Sequence, residues 1–228
     1  MGGKKFDAPY AFALAAVNPR SGAFRYTLLI MYTLVLYLLA GWSGFFVMGI
    51  ELLGGRLLAP YFGSSIYVWG AIITVFMLAL SLGYLAGGRY SMHRPSLRRL
   101  ALIVLLAAVT ALPVLLTGDA LLDKLAARVP DPRFGSLSAA LALFFVPTLI
   151  SGMVSPYAVR LLVVESHHAG ERAGRLYFIS TFGSAAGTLL TSFYFVLWFE
   201  LNQILWGMLA VSGLVALSAC LVRPRALP

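Results

Sequence analysis

A glutamate and an arginine interrupt a long apolar run in "IELLGGRLLAPYFGSSIYVWG", residues 50–70. They are Glu51 and Arg56, and an isolated carboxylate in lipid costs about 2.5 kcal/mol or more. A glutamate in that position is therefore expected to be neutral, paired or functional. On an ideal helix, residues five apart lie about 140° from each other, so these two would not meet. A break at Gly54–Gly55 would let them pair, because glycine permits the necessary backbone angles.

Two interpretations of this candidate functional pair remain open. Glu51 and Arg56 face a cavity together, or they are an interfacial glutamate and a snorkelling arginine at a helix end. Aromatic residues extend the first interpretation to a cavity that binds cations. The candidates for its lining are Tyr61, Tyr67, Trp69 and Tyr177. Aromatic belts at the membrane interface explain such residues equally well.

The composition indicates which elements position these residues. Of the 228 residues, 61% are hydrophobic and 11% charged, whereas soluble domains have about 45–50% apolar and about 25% charged residues. A helix needs about 20 apolar residues to cross the hydrocarbon of a bilayer. Six windows qualify, so we predict an all-α polytopic membrane protein in a lipid bilayer. The windows are 26–50, 66–88, 100–117, 137–159, 176–199 and 202–222.

The distribution of positive charge predicts the orientation of these spans. Six crossings return the chain to the side on which it starts. If the N-terminus is inside, 13 of the 17 Lys and Arg residues fall in inner segments, which agrees with the positive-inside rule. Nucleic-acid binding would need the basic residues on one folded face, and here they lie between apolar spans. We therefore expect no nucleic-acid partner and place both termini in the cytoplasm.

The same windows divide the chain into three parts. We predict a cytoplasmic N-terminal arm at 1–25, a six-helix membrane domain at 26–222 and a short cytoplasmic tail at 223–228. Leu121, Leu122 and Leu125 stand at helical spacing between charged residues, which predicts an outer interfacial helix at about 119–129. Prolines at 113, 147 and 156 remove backbone donors and favour kinks in spans three and four.

Two glycine pairs carry packing information. Gly83 with Gly87, and Gly183 with Gly187, each place two glycines on one helix face, where a neighbouring backbone can come close. The pairs fall in spans two and five. These are equivalent positions if the bundle consists of two inverted three-helix repeats, as in half of a major-facilitator-like protein.

Other reactive residues give weaker signals. His167 and His168 lie beside Glu165 and Glu171, and such a cluster can bind a metal. Adjacent histidines point in different directions on a helix, so a solvated loop is favoured, and we predict no metal site and no cofactor. Cys220 is the only cysteine, which excludes a disulfide within one chain.

Residues 40–215 resemble the membrane region of bacterial spermidine-synthase-like membrane proteins. The motifs are "ELLGGRLLAPYFGSSIYVWGAIITVFMLALSLGYLAGGR", "SGMVSPYAVRLL" and "AGRLYFISTFGSAAGTLLTSFYFVLW". Larger members of that family join a major-facilitator-like helix set to a soluble aminopropyltransferase domain. The resemblance implies a location in the bacterial inner membrane. The sequence ends at Pro228, where the fused relatives continue, and it contains no strand with a Gly-rich turn for an adenosyl substrate.

Three functions follow as expectations. The first is a non-catalytic membrane subunit or anchor that works with a separately encoded partner, without synthase activity of its own. The second is a transporter or binding protein that acts as a homo-oligomer, namely a dimer. It would take a small solute such as a polyamine or another cation, with Glu51 as counter-ion. The third is a membrane-embedded transferase that acts on lipid, with Glu51 and Arg56 at the outer interface.

Overall fold

A computed structural model describes residues 19–93, 95–163 and 169–221, with side chains between residues 30 and 219. This part of the chain contains helices and no strands, which confirms the predicted all-α class. The helices are α1 (Pro19–Phe62), α2 (Ile66–Ser91), α3 (Leu97–Thr110), α4 (Leu112–Arg128), α5 (Pro132–Gly152), α6 (Val154–Leu162), α7 (Ala169–Leu190), a π-helical turn (Thr191–Phe195), α8 (Val196–Trp198) and α9 (Leu201–Leu221).

These helices form six rods that are long and apolar enough to cross a bilayer. We number them spans one to six: Ile30–Phe62, Ile66–Ser91, Leu97–Arg128, Pro132–Leu162, Ala169–Trp198 and Leu201–Ala219. Large apolar side chains cover their outer surface, and Ile66 and Leu197 are 78% and 73% exposed. Such a surface suits contact with lipid rather than water. The protein is thus an all-α membrane protein.

Span one is longer than the predicted window of 26–50, because α1 continues through Gly54–Gly55 without a break. The 33 residues of the span extend for about 50 Å, more than the roughly 30 Å of hydrocarbon. The two glycines make room for aromatic rings. A Cβ on Gly54 would lie 3.0 Å from the ring of Phe144, and one on Gly55 would lie 2.6 Å from Trp69. The helix ends after Phe62, where Gly63 adopts a φ of +80°.

Span three also differs from its prediction. The interfacial helix that we predicted at about 119–129 is the second half of α4, which begins at Leu112 and continues from α3. The two helices meet at Ala111, two residues before Pro113. Because proline lacks an N–H and its ring excludes the carbonyl four residues earlier, the rod kinks rather than ends there. Pro156 explains the join between α5 and α6 at Met153 in the same way.

The two glycine pairs lie where neighbouring helix backbones come close. A Cβ on Gly83 or Gly87 would collide with the backbone carbonyls of Leu149 and Met153, so α2 lies directly against the junction of α5 and α6. A Cβ on Gly183 would collide with the Gly41 carbonyl in α1. Spans two and four, and spans five and one, therefore form two intimate helix pairs.

The two helix pairs match residue by residue. A Cβ on Gly44 would collide with the Ser180 carbonyl, and a Cβ on Gly152 would lie 3.0 Å from the Leu80 carbonyl. Gly44 and Gly152 are 108 residues apart, and Leu80 and Ser180 are 100 apart, as are Gly83 and Gly183. Each repeat has three spans, so the second repeat runs in the opposite direction. These matched contacts are the ones that two inverted three-helix repeats require.

The two repeats meet at equivalent residues. Ser43 Oγ donates a hydrogen bond to the Ser151 carbonyl over 3.2 Å, and these serines are also 108 residues apart. Beside them, Trp42 Nε1 donates to Ser212 Oγ over 2.8 Å. Above and below this polar layer lie two apolar clusters, one around Phe144 and Phe76 and one around Tyr157 and Leu100. The core thus consists of two apolar halves joined by a buried serine layer.

Several predicted features lie wholly or largely outside the described residues. They are most of the N-terminal arm at 1–25, the tail at 223–228 and the pair His167–His168.

Candidate functional site

Glu51 lies on the face of α1 that contacts α7 near Gly44 and α2 near Gly55. It is seven residues after Gly44, which packs against α7, and four before Gly55, which packs against Trp69 of α2. Residues at these spacings share one helix face. The antiparallel register that pairs Gly55 with Trp69 places Glu51 about 10 Å from the end of α2 that begins at Ile66. The carboxylate is therefore within a candidate membrane span and between two neighbouring helices.

The Glu51 side chain is half-buried and makes no hydrogen bond or ion pair with any residue that the structure describes. Arg56, the partner suggested by the sequence, is not brought to it. The unbroken helix keeps the two on different faces, as the ideal-helix spacing predicts. Because a charged group in a membrane span is costly when unpaired, the described residues leave the cost of a charged Glu51 uncompensated.

Three hydroxyl groups lie on the same side of α1. Ser155 Oγ and Ser180 Oγ are 3.5 Å apart, across the contact between α6 and α7. Ser184 lies one turn further along α7 and packs against Gly44. Since Glu51 is seven residues beyond Gly44, it lies about 10 Å further along the axis of α1. We call Glu51, Ser155, Ser180 and Ser184 the polar seam.

Sequence reasoning did not identify the three serines. Ser180 and Ser184 are four residues apart within the run that also contains Gly183 and Gly187, so their helical spacing was visible. Ser155 comes to them from another helix, 25 residues away from Ser180. No local pattern encodes that approach.

Arg56 caps the end of span five. Its Nη1 donates to the Val196 carbonyl over 3.3 Å, between Phe195 and Phe199. Val196 is in the last helical turn before Leu201, where carbonyl groups lack partners in the helix. A cation at a helix C-terminus is also favourable for the helix dipole. The arginine thus joins spans one and five and holds its charge at their common end.

The four aromatic residues proposed as a cavity lining are not brought together. Tyr61 donates to Asp119 Oδ1 over 3.4 Å, whereas the Tyr67 ring lies 4.7 Å from the Arg133 guanidinium carbon. Trp69 covers Gly55. Tyr177 belongs to α7, six residues before Gly183, and is therefore level with residue 35 of α1. That places it about 39 Å along the bundle from Tyr61.

Trp42 and Phe45 of α1, Phe195, Phe199 and the α9 face from Gln203 to Val211 form a groove on another side of the bundle. Its volume is about 300 Å³, and we call it the lateral groove. Its walls are aromatic and aliphatic, and Gln203 is at the end nearest Phe199. Thr191, in the π-helical turn behind it, is fully buried, and its hydroxyl has no partner among the described residues.

Comparison with known proteins leaves the family unassigned. No family model, no curated protein and no solved structure matches the chain. Among the residues that the structure describes, no group of three or more His, Cys, Asp or Glu side chains could hold a metal ion. The polar seam is therefore the candidate functional site, and the resemblance of residues 40–215 to spermidine-synthase-like membrane proteins stays a prediction.

Proposed function

We propose that the protein is a non-catalytic integral membrane subunit that works with a separately encoded partner. Glu51 is the observation that carries this proposal. The half-buried carboxylate lies in a membrane span and has no partner in the described part of its own chain. A cationic group on a second protein, placed against the polar seam, would compensate it. The resemblance to the membrane region of spermidine-synthase-like proteins supports the same view, since the fused relatives combine such a bundle with another domain.

The arrangement of charge supports an orientation with the basic end in the cytoplasm. Six basic side chains of the described segments lie where α2 and α6 end and where α3 and α7 begin. They are Arg89, Arg98, Arg99, Arg160, Arg172 and Arg175. Hydrogen bonds join these helix ends: Arg172 Nη1 donates to the Leu162 carbonyl over 3.0 Å, and the Ser96 N–H donates to the Tyr157 hydroxyl over 3.1 Å.

The opposite end of the bundle has a balanced charge. Its basic residues are Arg56, Lys124, Arg128 and Arg133, and its acidic residues are Asp119, Asp123, Asp131 and Glu200. The positive-inside rule counts Lys and Arg in short loops and assigns the richer end to the cytoplasm. The basic end is the richer one, so we place that end in the cytoplasm.

Gentle purification of the protein from its own cells tests the proposal. We expect a partner in constant ratio to the chain, and we expect Glu51→Leu to release it. Glu200→Gln is the matched control, because it also removes one acidic side chain but lies at the outer end, away from the polar seam. If wild-type protein carries no stoichiometric partner, or if both variants retain it equally, the proposal is wrong.

A second candidate function is the binding or transport of a small cation, such as a polyamine, by a dimer. The polar seam favours it, because hydroxyl and carboxylate oxygens are acceptors for ammonium groups. Two copies that face each other through this seam would enclose the cation. Uptake of labelled polyamine by reconstituted vesicles tests this function. Transport that is abolished by Glu51→Gln and unchanged by Glu200→Gln would support it, whereas equal uptake by both variants would remove Glu51 from the role.

A further inference from the structure

The lateral groove continues along one face of α1. Phe45, Gly49, Leu52 and Arg56 are spaced by four, three and four residues, so they share a helix face. Phe45 lines the groove. Gly49 leaves space for Met208, whose terminal methyl occupies the position that a Cβ on Gly49 would take. Arg56 ends this face. The aromatic groove therefore has a guanidinium group at one end.

Gln203 is at the same end of the groove and also retains hydrogen-bond donors. Its Oε1 accepts the Glu200 backbone N–H over 3.1 Å, which caps α9. That bond uses the amide oxygen and leaves the NH₂ group available. Arg56 uses one N–H on the Val196 carbonyl, out of the five that a guanidinium carries. Both side chains are exposed, so the open end of the groove presents the donors of Arg56 and Gln203, next to the exposed Glu200 carboxylate.

The depth of this end suits a lipid headgroup. Trp198 is 78% exposed and Phe199 53% exposed, next to Arg56 at the end of span five. Tryptophan and arginine are typical of the interface between hydrocarbon and headgroups. The rest of the groove runs from Gln203 to Val211 along α9, eight residues or about 12 Å into the span. Its opening lies on the lateral surface, where a membrane protein meets acyl chains.

We propose that the lateral groove binds one acyl chain of a glycerophospholipid whose phosphate contacts Arg56 and Gln203. Charge complementarity selects this occupant: a phosphate accepts hydrogen bonds from a guanidinium and an amide, and an acyl chain matches the apolar walls. The volume of about 300 Å³ is at the lower limit of ligand sites, which suits a single chain rather than a whole lipid.

Substitution of Gly207 tests the groove. Gly207 lines it, and a Cβ there would meet nothing within 4 Å, so the backbone has room for a side chain and Gly207→Leu should occupy the groove. Gly213→Leu is the matched control, because Gly213 is on the same helix, has the same free space and lies outside the groove. We expect native mass spectrometry of nanodisc protein to show one retained phosphatidylglycerol in wild type and in Gly213→Leu. In Gly207→Leu we expect its occupancy to fall at least about tenfold.

Substitution of Arg56 tests the phosphate contact and keeps the proposal testable if Gly207→Leu fails to fold. Wild-type protein should prefer phosphatidylglycerol to a diacylglycerol with the same chains by about tenfold or more, since hydrogen bonds to charged groups are strong. Arg56→Gln should remove most of that preference, and the exposed Lys124→Gln should not. The proposal is overturned if wild type retains no lipid, if it binds both lipids equally, or if the two glycine variants behave alike.

Discussion

At the scale of single residues, the distinctive feature is a carboxylate without a partner. Glu51 is in a membrane span, half-buried, and unpaired among the described residues. Sequence alone identified Glu51 as the residue whose charge needs an explanation, because a charged side chain is costly in lipid. It did not identify the contacts of Arg56. That guanidinium binds the Val196 carbonyl, 140 residues away, and only the tertiary structure makes such an approach.

The cost of Glu51 predicts a stability effect. Glu51→Leu should stabilise the isolated protein in lipid nanodiscs by about 1 kcal/mol or more, because it removes a carboxylate that the bundle does not compensate. Glu200→Gln should leave stability unchanged, since Glu200 is exposed at a helix end. Thermal unfolding of the purified protein measures both. A lower midpoint for Glu51→Leu would show that the carboxylate has a stabilising contact within the bundle.

Tyr157 predicts a second effect at this scale. Its side chain is fully buried, and its hydroxyl accepts the Ser96 N–H where α3 begins. Tyr157→Phe keeps the ring and leaves that N–H without its partner, so we expect a loss of about 1–2 kcal/mol. Tyr177→Phe is the control, because Tyr177 is 53% exposed on α7. Equal unfolding midpoints for the two variants would contradict this role for the hydroxyl.

At the scale of helices, close backbone contacts hold the bundle together. Gly87→Ala should destabilise the protein by about 1–3 kcal/mol, because a Cβ there would overlap the Met153 backbone, which cannot rotate away. Gly88→Ala should be neutral or stabilising, since nothing lies within 4 Å of its Cβ position and alanine is the better helix former. Unfolding of the two single variants in the same detergent measures the difference. Similar midpoints would mean that α2 does not pack against α5 and α6 as described.

The sequence predicted which segments are helices more accurately than it predicted the residues at which those helices begin and end. Apolar windows located all six spans, and the start of span two at residue 66 was placed correctly. The end of span one was not, because hydropathy falls at Glu51 while the backbone has no stop signal before Pro60 and Gly63. Gly54–Gly55 had the composition of a break, yet the rings of Phe144 and Trp69 occupy that space. A glycine pair can break a helix or make room for neighbouring side chains. The choice depends on those neighbours, and the local sequence does not identify them.

At the scale of the whole molecule, the internal symmetry explains why the helix pairs are not consecutive in sequence. The inverted repeat relates span one to span four and span two to span five. The contact between spans one and five is therefore equivalent to the contact between spans four and two. Ser43 contacts its own equivalent, Ser151. The glycine pairs in spans two and five predicted this relation from spacing alone. The lateral groove and the polar seam were not predictable, because each combines side chains from helices that are far apart in sequence.

Every functional proposal depends on six crossings, which place the Arg-rich end on one side of the membrane and α4 toward the other. Cysteine labelling in sealed membrane vesicles tests this most directly, since Cys220→Ser leaves a background without cysteine. Single cysteines at Arg98, Arg175 and Lys124 should then react with a membrane-impermeant maleimide. We predict that the first two are labelled from the cytoplasmic side only and the third from the opposite side only. Labelling of Arg98→Cys and Lys124→Cys from the same side would contradict the membrane bundle described above.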